Sequence, residues 1–215
     1  SWPFGVGGDF SSRLGYVSFR SMYYQRCGIP LKQPYAWEDI RESHCHTDLY
    51  EVNAPTGEAH LRVAGTEPSI TVYGGYHDAG DADRRLYHLT RVPSVLMTTY
   101  EAFPEYFTDN QFNIPDKFDE NFNILGKGNG IPDIIDEAEW ATLIWEYLQD
   151  PDGGVHWGTE TRGYPEPFAI PMDLDTKKYG TIRIDNEATA MAAGVFMHLA
   201  RLLEPYKPER SAELQ

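Results

Sequence analysis

The stretch Gly74-Gly75-Tyr76-His77-Asp78-Ala79-Gly80-Asp81 holds two aspartates with only an alanine and a glycine between them. Glycines on both sides allow a tight turn with positive φ, and such a turn can aim both carboxylates at one point. Splitting a sugar linkage with water needs a carboxylate of this kind as general base, held ionised with room for one water beside the sugar carbon. A second carboxylate can hold the same water from the other side. As a bare pattern, the motif fits a solvated Asp-rich turn equally well.

A second set of residues joins sulfur to imidazole. The chain has 2 cysteines, Cys27 and Cys45, and His46 and His77 complete a Cys2His2 group whose donors suit tetrahedral zinc. A Cys27–Cys45 disulfide and a pair of buried thiols are the other readings of the same cysteines. His77 directly precedes Asp78, so a metal there would tie the aspartate turn to the segment that carries Cys27. Oxygen donors gather farther on. Asp116, Asp119, Asn121 and Asp133 surround a Gly/Asn-rich loop and offer calcium ligands, although the spacing is not that of an EF-hand and solvated loop acids are the plainer reading. His44 and His60 read as ordinary loop histidines.

Aromatic and polar groups supply candidate sugar contacts. Trp157 in Gly153-Gly154-Val155-His156-Trp157 offers a stacking face, His156 a hydrogen bond to a hydroxyl, and Tyr76 a further contact. Core packing is the competing use of any such ring. Trp140 and Trp145 lie within a helical pattern and read as packing residues.

These groups need a scaffold, and the apolar periodicity supplies one made mostly of helices. The first runs from about Ser11 to Arg26, with Leu14, Val17, Phe19, Met22 and Tyr23 as an imperfect apolar face and Gly28 as its stop. A second spans about Tyr87 to Phe103, with Pro93 in its first turn or kinking it. A third opens at Pro132 and Asp133 and runs through Leu148, with Ile134, Ile135, Ala138, Ala141, Ile144 and Trp145 at helical spacing. Asp133, Asp136 and Glu137 complement the dipole of its first turn. A fourth runs from about Asn186 to Leu203, capped by Asp185 or Asn186 and ended by Pro205. Strand-like pieces at Ala59 to Val63 and Ser69 to Tyr73 are short. The loops from Thr108 to Ile131 and from Asp150 to Arg183 are long enough to be functional or ligand-tied.

Charge narrows the partners. Against 18 Lys and Arg stand 33 Asp and Glu, a net charge of −15, which argues against nucleic acid and anionic membrane surfaces. No apolar run reaches the roughly 20 residues that span a bilayer. The aromatic fraction of 13%, with 14 Tyr and 5 Trp, is compatible with a sugar-binding cleft.

Four stretches, in order, resemble the catalytic domains of glycoside hydrolase family 9, the family of many bacterial and plant cellulases. They are Tyr24-Gln25-Arg26-Cys27-Gly28; Cys45-His46-Thr47-Asp48; Gly74 to Asp81; and Asn129-Gly130-Ile131-Pro132-Asp133-Ile134-Ile135-Asp136-Glu137 with Trp140, followed by Asp152-Gly153-Gly154-Val155. The resemblance implies an all-α fold, an (α/α)6 barrel with a cleft across one end, of which residues 1–215 would be the N-terminal part. It implies an inverting hydrolase of β-1,4-linked glucan such as cellulose, with Asp81 as general base and Asp78 orienting the water. The family's general acid, a late Glu, would lie beyond this chain, so the missing C-terminal part becomes a partner alongside the polysaccharide or oligosaccharide. Family members with an N-terminal immunoglobulin-like module carry structural zinc on a Cys, Cys-His and His pattern like Cys27, Cys45-His46 and His77. The family also implies a secreted or periplasmic location.

One departure stands beside the cleft. Typical cellulases of the family follow the base with Tyr or Phe, Gly and Lys, whereas this chain reads Ala82-Asp83-Arg84-Arg85. Two alternatives follow: an exo-β-D-glucosaminidase acting on chitosan oligomers, whose cationic sugar suits the acid surplus, and a non-catalytic carbohydrate-binding module on the same fold.

Overall fold

The structure, a computed structural model, describes residues 8–52, 63–161, 163–166 and 171–215. Helix α1 spans Gly8–Gln25. Its buried line is Phe19, Arg20 and Tyr23, with Tyr16 and Met22 packed alongside. Leu14 and Val17 of the expected apolar face are 55% and 49% exposed, because they lie off that line.

Strands β1 (Asp48–Val52), β2 (Val63–Thr71) and β3 (Arg84–Arg85) come next, then helices α2 (Leu86–Leu89) and α3 (Arg91–Ala102). The helix expected from Tyr87 to Phe103 is therefore two pieces that meet at Thr90. Pro93 sits in the first turn of α3, where its missing N–H removes no helical bond. Of the strand read at Ser69 to Tyr73, Ser69 to Thr71 end the longer β2 and Val72 and Tyr73 lie beyond it, while residues 59–62 of the other lie outside the described residues.

Within the loop 108–131, β4 (Lys117–Phe118) and β5 (Ile124–Gly126) form a small antiparallel ladder. Helix α4 (Asp133–Tyr147) follows Pro132 as the sequence predicts. It is buried on nearly every side, from Asp133, Ile134 and Ile135 through Ala138, Ala141 and Ile144 to Trp145, as befits a central helix. Trp140 and Trp145 are core residues, as read. Strands β6 (Gly158–Glu160) and β7 (Tyr179–Thr181) precede helices α5 (Asn186–Leu203) and α6 (Pro208–Glu213). Asp185 caps α5, its Oδ1 accepting from the backbone N–H groups of Glu187 at 2.8 Å and Ala188 at 3.4 Å. α4 packs between α3 and α5.

The short β pieces expected beside the helices are present and pair more extensively than the two strand-like runs in the sequence suggest. They form a five-stranded sheet in the order β2-β1-β7-β6-β3, with β1 and β7 parallel and the other neighbours antiparallel. β3, β6 and β7 are two or three residues long, too short to show alternation, and their partners come from distant segments. The described helices do not close an (α/α)6 ring.

Candidate active site and metal centre

The aspartate turn is seated by its glycines. Gly74 and Gly75 have φ of +85° and +73°, and a Cβ on them would meet Leu143 Cβ at 2.7 Å and Ile144 Cγ2 at 2.9 Å respectively. Only a bare backbone can press this closely on α4. The Gly75 N–H donates to the Trp140 carbonyl at 2.9 Å, and the Gly75 carbonyl accepts from the Cys27 N–H at 2.9 Å. The segment after α1 thus pairs with residues 75–77, which sets Cys27 beside His77.

The turn itself is a closed loop. The Asp78 N–H donates to the Asp83 carbonyl at 2.9 Å, and Ala82 adopts φ 57°, in the left-handed region. Asp78 and Asp81 are both half-buried. Asp81 Oδ1 is shielded from solvent and accepts no hydrogen bond from the described residues. Asp83 is fully committed instead: Oδ1 accepts from the Thr161 N–H at 3.0 Å and Oδ2 from Arg85 at 2.9 Å, while Arg85 also meets Glu160 at 3.3 Å. Burial pushes the Asp83 carboxyl up to about 7, and the charge of Asp81 adds to it.

The Cys2His2 group converges. Cys27, Cys45, His46 and His77 bring one donor atom each within 4.8 Å of one another. The Sγ atoms are 3.9 Å apart, nearly twice the roughly 2.05 Å of a disulfide, so the disulfide reading is set aside. Cys45 Sγ lies 3.6 Å from His77 Nε2, Cys27 Sγ 3.9 Å from His46 Nδ1, and the two ring nitrogens 3.2 Å apart. Zinc bonded at about 2.3 Å to sulfur and about 2.05 Å to nitrogen spaces tetrahedral donors about 3.8 Å (S···S), 3.6 Å (S···N) and 3.3 Å (N···N) apart. The donor set fits. Burial pushes the Cys27 thiol up, whereas hydrogen bonds from Cys27, His46 and His77 outweigh burial at Cys45 and draw it well below the usual range. Arg41 donates to Cys45 Sγ at 3.0 Å and the Gly28 N–H at 3.4 Å, contacts that favour a thiolate.

Around the four donors lies a supporting shell. His46, with φ 49°, points Nδ1 into the cluster and Nε2 at Asp175 Oδ2, 3.1 Å away. Tyr179 directs its hydroxyl at the same Asp175 oxygen, 2.9 Å away, and at the backbone carbonyl of Asp81, 2.6 Å away. Burial, then the Asp175 carboxylate, hold the Tyr179 phenol far above its ordinary range, so it remains a donor. Arg84, completely buried, donates to the carbonyls of His46 and Gly74 at 2.8 and 3.3 Å.

The expected sugar contacts fare differently. Trp157 is half-buried and stacks on the exposed Tyr87, with ring centroids 6.1 Å apart. His156 faces the Ile182 carbonyl with Nδ1 and Asp150 with Nε2 at 3.4 Å. Tyr76 is corrected: it is 2% exposed and its hydroxyl donates to Glu137 at 2.8 Å, which places it in the core.

The oxygen-donor cluster is also redrawn. Asp109, Asp116 and Asp133 converge within 4.8 Å. Asp133 accepts from the Asn110 and Phe112 N–H groups, while Asp109 Oδ1 and Asp116 Oδ1 are buried without a hydrogen-bond partner among the described residues. Burial pushes Asp133 up to about 6. Two carboxyls with one spare oxygen each, converging with a third, suit a hard cation such as calcium. Asp119 is elsewhere, accepting from Asn121 and Asn123 in its own turn. His44 contacts the Phe122 carbonyl and Tyr73, and His60 lies outside the described residues.

Residues 13–215 match the profile of glycosyl hydrolase family 9. The chain belongs to that family. It is 28% identical over 199 residues to a xyloglucan-specific endo-beta-1,4-glucanase, BoGH9A, from Bacteroides ovatus, covering 92% of this chain and 31% of that protein. It is 28% identical over 229 residues to a cellulose 1,4-beta-cellobiosidase from Acetivibrio thermocellus, covering 99% of this chain and 25% of the relative. The crystal structure of a metagenome-derived family 9 endoglucanase superposes with a TM-score of 0.75 at 29% identity, covering 94% of this chain and 34% of the other. The family 9 chain described here therefore spans about a third or less of these relatives.

Reading the sequence noted Asp83 and Arg84, whose signal is the departure Ala82-Asp83-Arg84-Arg85 from the family 9 pattern, and missed Asp175 and Tyr179. Asp175 and Tyr179 carry none, because they meet His46 and Asp81 from 129 and 98 residues away.

Proposed function

We propose that this chain is the N-terminal part of an inverting family 9 hydrolase that cuts β-1,4-linked glucan, within an (α/α)6 barrel completed by the rest of the protein. Asp81 takes the proton from the attacking water, and Asp78 orients that water from the opposite side. A glutamic acid from the remainder of the protein protonates the departing glycosidic oxygen, and its distance from the base leaves room for the water. The observation that carries this reading is the Oδ1 of Asp81, without a hydrogen-bond partner among the described residues, beside an Asp83 whose two carboxylate oxygens are both engaged. Trp157, half-buried, remains the sugar-contact candidate together with His156.

Zinc is assigned to Cys27, Cys45, His46 and His77, where it supplies structural cross-linking between the end of α1 and the base loop. Calcium is assigned to Asp109, Asp116 and Asp133. The protein acts outside the cytoplasm, secreted or periplasmic, where its polysaccharide is found. A second reading, hydrolysis of chitosan oligomers, is favoured by the net charge of −15.

The test is turnover by the full-length protein on cellulose oligomers, xyloglucan, mixed-linkage glucan and chitosan oligomers, with the product anomer followed by NMR. Release of α-anomeric product from β-glucan supports the proposal. Cleavage of chitosan oligomers alone moves the assignment to the second reading. Sugar binding without turnover on any of them overturns the enzyme in favour of a binding module.

A further inference from the structure

We infer that Tyr179 is a positioning residue for the base loop, and that Asp175 couples it to the Cys2His2 cluster. The catalytic meaning of this link rests on the reading of Asp81 as general base, whereas the link itself does not. Its chain of contacts is continuous. His46 Nδ1 faces the cluster, which leaves Nε2 to carry the proton toward Asp175 Oδ2 at 3.1 Å. Asp175 Oδ2 then faces the Tyr179 hydroxyl at 2.9 Å, and that hydroxyl reaches the Asp81 carbonyl at 2.6 Å.

Every participant is held. The side chains of His46 and Asp175 are 2% and 1% exposed, Tyr179 is 1% exposed, and the His46 and Tyr179 rings pack 4.6 Å apart. The two ends of the chain share a strained backbone: His46 at φ 49° and Ala82, next to Asp81, at φ 57°. Left-handed non-glycine residues persist where surrounding contacts over-determine them. A carboxylate behind a ligand histidine fixes that ring's tautomer and orientation. Here the same carboxylate oxygen also faces the tyrosine that holds the carbonyl of the proposed base. A change in how His46 is held therefore reaches the Asp81 carbonyl through three contacts, the last two competing for the single Tyr179 hydroxyl proton.

The experiment uses the full-length, zinc-loaded protein as wild type, Tyr179→Phe, Asp175→Ala and the double variant. It reads amide exchange over residues 78–83, zinc loss to a chelator, and kcat and KM on a β-glucan. Tyr179→Phe is expected to speed exchange in the loop about tenfold while zinc is lost at the wild-type rate. Asp175→Ala is expected to speed the same exchange and to lose zinc about 10–100-fold faster. The double variant is expected to exchange no faster than the faster single variant, because both break one chain of contacts. In an active enzyme, Tyr179→Phe lowers kcat about tenfold and leaves KM within twofold.

Loop exchange that is unchanged in Asp175→Ala, or that multiplies in the double variant, overturns the coupling whatever the activity. Coupled exchange with no β-glucan hydrolysis by the wild type sinks the proposed function and leaves the link standing. Coupled exchange with wild-type kcat in Tyr179→Phe overturns its positioning role for the base.

Discussion

Arg26 and Glu137, 111 residues apart, form a two-pronged ion pair with both N···O distances at 3.0 Å and neither side chain more than 1% exposed. The Tyr76 hydroxyl supplies a third donor to Glu137, and the Pro115 carbonyl takes another Arg26 proton. This network fastens the end of α1 and the Gly74 to Asp81 stretch to the central helix. It also holds Tyr76, although inside the Gly74 to Asp81 stretch, in the core.

Glu137→Gln should therefore leave a buried guanidinium without its counter-charge. A cost of about 3–5 kcal/mol is expected, read as a lower denaturant midpoint. Loss under about 0.5 kcal/mol would mean that the pair is incidental.

Asp81→Asn removes the proposed proton acceptor while keeping the size of the side chain. A fall in kcat of roughly 10²–10⁴-fold is expected, with the thermal midpoint and oligosaccharide affinity of the full-length protein unchanged. Steady-state kinetics beside calorimetric binding would separate lost chemistry from lost affinity.

The metal assignment gives a stoichiometry. Elemental analysis should find zinc at one per Cys2His2 cluster, and Cys45→Ser should abolish it and lower the thermal midpoint, since ligand binding and folding are linked. Thiols that alkylate rapidly in the untreated native protein would argue for a metal-free pair.

Asp136 sets a pH dependence. Burial pushes its carboxyl up to about 8 from an ordinary 3.8, with one oxygen accepting from Asn129 at 2.8 Å and the other without a partner among the described residues. The folded chain holds a proton that the unfolded chain has released. The contribution is complete below about pH 4 and is lost as pH rises through about 8. Asp136→Asn should match the wild type near pH 4 and exceed it by roughly 1–3 kcal/mol at pH 8. Parallel stability curves for the two proteins across that range would refute the assignment.

Local signals made much of this molecule legible. The bounds of α5 follow from the Asp185 cap and its apolar spacing, and the start of α4 follows from Pro132. Among donor sets, Cys27, Cys45, His46 and His77 were readable as a group because sulfur and imidazole are scarce and their chemistry is narrow. The break in helix at Thr90 and the short helix α6 were not, since neither changes the apolar period over enough residues.

What the sequence determined by itself was identity of kind: which residues could move a proton or hold a metal, and which runs coil into helices. Those properties belong to single side chains and to neighbours within a turn. Tertiary structure alone decided that Tyr76 is buried, that three short strands join one sheet, and that Asp175 and Tyr179 stand between His46 and Asp81. Such contacts depend on where segments a hundred residues apart come to rest, and no local spacing encodes that.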